Sequence, residues 1–101
     1  MVTLEKQPSE SRQYTLDFTA FPEMKRGDVI TNIQEVTYEV VSGTEETALT
    51  LDNGVINTDG DKVQVQIGDG THEVLYKVTA VVDTNAGDVL EGEGFLFVFD
   101  Y

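Results

Sequence analysis

The sequence predicts an all-β chain: an immunoglobulin-like antiparallel β-sandwich of about seven strands with an extended N-terminal arm. Three observations carry that expectation. Apolar residues recur at every second position, as in Val63, Val65, Ile67 and again in Val74, Tyr76, Val78, Ala80, Val82. Glycine-bearing turn signals separate the alternating runs: Arg26-Gly27-Asp28, Ser42-Gly43-Thr44, Asp52-Asn53-Gly54, Thr58-Asp59-Gly60-Asp61, Gly68-Asp69-Gly70 and Asn85-Ala86-Gly87-Asp88. No helical period is sustained over three turns.

Residues 1–13 have no period, carry Pro8 and balance their charges, so they are expected as an arm, followed by a sandwich domain over 14–101. Strands are then expected at 14–19, where Tyr14, Leu16 and Phe18 alternate, and at 28–41, a long run broken by a bend or bulge. Two short strands follow at 48–51 and 54–57, joined through the Asp-Asn-Gly turn. The clearest alternations place strands at 62–67 and 72–83, and the last strand is expected at 88–99.

With 101 residues there is room for one domain, and 40% apolar with 9% aromatic residues is a globular composition. The net charge of −13 is uneven. Residues 1–26 hold four acids and four bases, whereas residues 27–101 hold fifteen acids against Lys62 and Lys77 alone. A body of that sign repels phosphate backbones, so nucleic acid is not an expected partner. The opening residues lack the apolar run of a signal peptide and no window approaches 18 apolar residues, so no membrane partner is expected and synthesis in the cytoplasm is. There is no Cys, which removes disulfides, thiolate metal sites and Cys nucleophiles.

Catalytic, metal and cofactor sites are all expected to be absent. His72 is the one histidine and has no nucleophile motif beside it. Asn57-Thr58-Asp59-Gly60-Asp61 alternates oxygen ligands, but a calcium loop needs Gly at its sixth position and Glu at its twelfth, where Lys62 and Gly68 stand. An Asp-Gly hairpin turn explains the stretch better. Arg26-Gly27-Asp28 spells an adhesion tripeptide that a turn accounts for equally well.

The least ordinary feature is Gly94-Phe95-Leu96-Phe97-Val98-Phe99. Phe95, Phe97 and Phe99 share one face of the expected strand and Leu96 and Val98 the other, so both faces are apolar. Such a strand is expected to be covered, either by an interface with a partner or by residues 1–13 of its own chain. Tyr101 lies close by.

Lys6-Gln7-Pro8-Ser9-Glu10, then Tyr14-Thr15-Leu16-Asp17-Phe18, then Gly27-Asp28-Val29-Ile30 resembles the opening of short phage and prophage proteins with a Lys-x-Pro-x-Glu arm, a Tyr-x-x-Asp-aromatic strand and a Gly-Asp-x-Ile strand. The second half, with Gly70-Thr71, Leu75-Tyr76-Lys77-Val78-Thr79 and Thr84-Asn85-Ala86-Gly87-Asp88-Val89-Leu90-Glu91, is similar to their last hairpin. These are small immunoglobulin-like virion proteins of the fibre–tail adaptor type. The family's Trp-bearing second strand has no Trp here, and Tyr38 is expected in its place.

The resemblance implies a non-catalytic virion protein, present in several copies, that links the tail body to fibres or neighbouring tail proteins. Its expected partner-binding residues are Lys6, Pro8, Glu10 and Arg12 in the arm, with Phe95, Leu96, Phe97, Val98, Phe99 and Tyr101 at the last strand. The rival expectations are a capsid decoration protein, which copy number would separate, and a carbohydrate- or cell-surface-binding module, which would call for exposed aromatic platforms.

Overall fold

Alternation along the chain converts directly into two facing sheets. The structure, a computed structural model, describes residues 3–100. Among the described residues eight strands form: β1 (Thr3–Lys6), β2 (Arg12–Asp17), β3 (Ile30–Ser42), β4 (Leu49–Leu51), β5 (Val55–Ile56), β6 (Lys62–Asp69), β7 (Val74–Thr84) and β8 (Val89–Val98), with one short helix, α1 (Pro22–Lys25). One sheet runs in the order β1-β8-β7-β3 and the other β2-β6-β4, with β5 also pairing β6. All pairings are antiparallel except β1 with β8. The result is an all-β sandwich, 41 × 20 × 20 Å in extent.

The even-numbered residues of β7, Val74 through Thr84, point inward without exception, and Leu90, Leu96 and Val98 of β8 join them. From the opposite sheet come Leu16, Val63, Val65 and Ile67, with Phe18 just beyond β2, and together these make the core. Phe18 is fully buried. Its ring tip points at Gly92, where a Cβ would lie 2.4 Å from Cζ. Only glycine permits that approach between the sheets.

The expected strand boundaries shift where a local constraint intervenes. The strand expected from His72 begins at Val74, because Glu73 takes a φ of 63°, which turns the chain out of the extended conformation just before it. The strand expected from Asp28 begins at Ile30, since Val29 is tied by a reciprocal pair of bonds with Asn85. The irregularity expected in that long strand is present as register shifts at Ile30/Asn32, Ile33/Glu35 and Val40/Ser42.

α1 has no counterpart in the sequence reading, because four residues cannot express a helical period. Its local signals are nonetheless ordinary: Pro22 opens it, Glu23 sits in its first turn and Lys25 in its last.

Residues 3–6, read from sequence as part of an arm, form β1. Thr3 pairs with Phe95 and Lys6 with Val98, and Phe99 N–H donates to Lys6 O at 2.9 Å. β1 thus pairs along one backbone edge of β8.

Candidate functional site

The parity that sends Leu96 and Val98 into the core sends Phe95, Phe97 and Phe99 to the outer face of the β1-β8-β7-β3 sheet, where each is half-buried. Cross-strand register sets Leu75 opposite Phe97 and Lys77 opposite Phe95. Phe97 and Phe99 stack at 5.8 Å between centroids, and the His72 ring tilts against Phe99 at 4.9 Å. His72 is held there because its Nδ1 accepts the Asp100 N–H at 2.8 Å while its Nε2 lies 3.5 Å from Glu73 Oε1. The two left-handed residues Asp69 and Glu73 bend the β6–β7 connection so that His72 reaches the strand. One end of the sheet therefore carries a half-buried apolar patch of three Phe rings and Leu75, beside an exposed imidazole.

Lys6 behaves differently from an exposed arm residue. It is 1% exposed, and its ammonium donates to the carbonyl oxygens of Gln7 at 2.5 Å, Pro8 at 3.2 Å and Asp69. Burial pulls its pKa below a lysine's ordinary value, against the opposing charges of Asp69 and Glu10. This ammonium clips the start of the chain to the β6–β7 connection beneath the aromatic patch. Glu10 Oε1 accepts from Gln7 N–H at 2.8 Å and closes the turn that holds half-buried Pro8. Arg12 is exposed at the start of β2. Tyr101 lies outside the described residues.

The structure thus brings Lys6, Pro8, Phe97, Val98 and Phe99 to one end of the molecule, with Leu96 and Val98 in the core rather than on the surface. Leu75 and His72 belong to the same patch, and neither is among the partner-binding residues expected from sequence. Leu75 was legible in principle, since it has the outward parity of β7, opposite to Val74 and Tyr76.

Beyond the patch the outer face turns acidic. Glu35, Glu39, Glu91 and Glu93 surround Lys77, whose ammonium meets Glu39 Oε1 at 2.9 Å and Glu93 Oε2 at 3.5 Å. Those bonds raise the Lys77 pKa, Glu39 contributing most. At the 57–61 turn Asn57 caps the bend: its Oδ1 accepts from the Asp61 and Lys62 N–H groups at 3.0 Å and its Nδ2 donates to Asp61 Oδ1 at 2.8 Å. Among the described residues no group of three or more His, Cys, Asp or Glu is placed to hold a metal ion. In the Arg26-Gly27-Asp28 stretch the guanidinium is bonded to Asp28 and lies 3.3 Å from Asp88.

An apolar patch beside an acidic field fits docking chemistry, and comparison with known families decides which kind. Residues 6–96 match the family model described as podophage GP4 fiber-tail adaptor protein gp77. The chain belongs to that fiber-tail adaptor family. The match takes in both sheets and ends within the aromatic strand at Leu96. No curated protein matches the adaptor. As a member of a phage tail adaptor family, it is a virion component that works beside tail and fibre proteins. No helix among its described residues is long and apolar enough to cross a membrane.

Proposed function

We propose that this chain is a non-catalytic structural protein of the virion, made in the host cytoplasm, that joins the tail body to fibres or neighbouring tail proteins in several copies. The observation that carries the reading is the half-buried row of Phe95 and Phe97 on β8 with Phe99 just beyond its end, all on the outer face of the sheet. Rings held this way offer large apolar area without ordering cost, as interface anchors do. Partner contact extends from the aromatic face to the 7–13 segment, where Pro8, Glu10 and exposed Arg12 rim it, while Lys6 holds that segment in place from beneath. The order β1-β8-β7-β3 against β2-β6-β4 supports the immunoglobulin-like reading of the sandwich. The charge of −13 weighs against nucleic acid as a partner.

The test is complementation of a phage lacking this gene with the Phe95→Ser/Phe97→Ser chain. Purified variant should keep a cooperative melt and its β-sheet signature, at a Tm lowered by the loss of two half-buried rings, while particles should lose the adaptor and its fibres by quantitative mass spectrometry. Normal incorporation with normal fibre content would refute the assignment of the aromatic face.

A further inference from the structure

We propose that the open edge of β3, over Glu35–Val40, receives a basic, extended segment of a partner protein as an added strand of the β1-β8-β7-β3 sheet. Among the described residues β3 ends the sheet and pairs only with β7. Its register shifts bracket one straight run, in which Glu35 pairs with Val81 and each residue through Val40, opposite Tyr76, follows without a bulge. Elsewhere along β3 the bulges spoil the edge for pairing, so this window is where a strand can be added.

Charge decides the occupant. Glu35, Thr37 and Glu39 stand exposed on one face of the window, with Glu91 and Glu93 on the same face of β8 behind them. The cation in that field, Lys77, is already bonded to Glu39 and Glu93. A second copy of this chain paired antiparallel about Thr37 would set Glu35 opposite Glu39 twice, and paired parallel would set each Glu beside itself. Like charges directly opposite destabilise a ladder, so the row rejects its own kind. An incoming strand with Lys or Arg four residues apart would meet both carboxylates, and exposed Val40 and Val41 would grip its end. β2, the other long edge, ends in Arg12 and Asp17 and has no one-sign row.

The experiment uses the isotope-labelled full chain at low salt with three short peptides: Lys alternating with Thr, the same charge with Pro at alternate positions, and Glu alternating with Thr. The Lys/Thr peptide should shift and protect amides of β3 within Glu35–Val40, and its affinity should fall about tenfold in Glu35→Lys/Glu39→Lys. The Pro peptide, which lacks the N–H donors, should leave β3 unprotected, and the Glu peptide should not bind. The proposal is overturned by equal binding of the Pro peptide, by shifts spread over the acidic surface, by no binding of any peptide, or by self-association that protects the same amides. Because no particle takes part, failure here leaves the adaptor assignment standing.

Discussion

Replacing Gly92 with Ala tests the contact that fixes the distance between the sheets. A Cβ there would lie 2.4, 2.7 and 2.9 Å from Cζ, Cε2 and Cε1 of Phe18, where ordinary contact begins at 3.4 Å, so ring or strand must yield by 1.0 Å. The ring cannot withdraw cheaply. Its backbone N–H donates to Asp61 O at 2.9 Å, its face stacks on Phe21 at 5.5 Å, and it is wholly buried. Overpacking of this kind costs about 1–3 kcal/mol, and the threefold contact places this site at the upper end. For a chain of this size that lowers Tm by about 4–8 °C per kcal/mol. The double-mutant cycle with Phe18→Leu isolates the clash: a smaller side chain opens room for the new methyl, so the two costs should fall short of additive by about 1 kcal/mol or more. Thermal or urea melts of the four proteins read it. Strict additivity, or a Gly92→Ala chain as stable as the parent, would refute the packing argument.

Lys6→Met should destabilise the fold by about 1–3 kcal/mol, because the carbonyls of Gln7, Pro8 and Asp69 lose their donor. The folded pKa of Lys6 lies below its unfolded value, so in the window between them the unfolded chain holds more protons and stability rises with pH. The parent should therefore gain on Lys6→Met as melts approach pH 10.5 from below, and parallel curves would contradict a buried ammonium. Asp83 accepts from Asn32 Nδ2 at 3.0 Å and Gln34 Nε2 at 2.6 Å, which holds its carboxyl below the usual 3.8. Its contribution is present above that value and disappears as pH falls through the folded pKa; Asn32→Ala should move the Asp83 titration upward, as read by carboxyl NMR.

Strands whose partners supply a regular buried face were legible, since β6 and β7 write that face as strict alternation. β1 was not, because its four residues include Glu5 and Lys6 and acquire strand geometry only from pairing with β8. Pairing between distant segments overrides a local reading that sees a polar leader. The outward parity of Phe95 and Phe97 was readable for the same reason that β7 was. The burial of Lys6 was unreadable, since its three acceptors converge only once the 7–10 turn and the Asp69 bend have formed. Family membership, by contrast, rode on short motifs at turns and strand starts, where backbone geometry narrows the choice of residue.

The pairing of β1 with β8 also orders the folding of the chain in time. It joins Thr3 to Phe95, a separation of 92 residues, so this edge closes only after the final strand has been synthesised and docked. Loops that long close late and slowly. Until then the segment later clipped by Lys6 is an unattached tail on a nascent sandwich, and the aromatic face of β8 has not yet come into being.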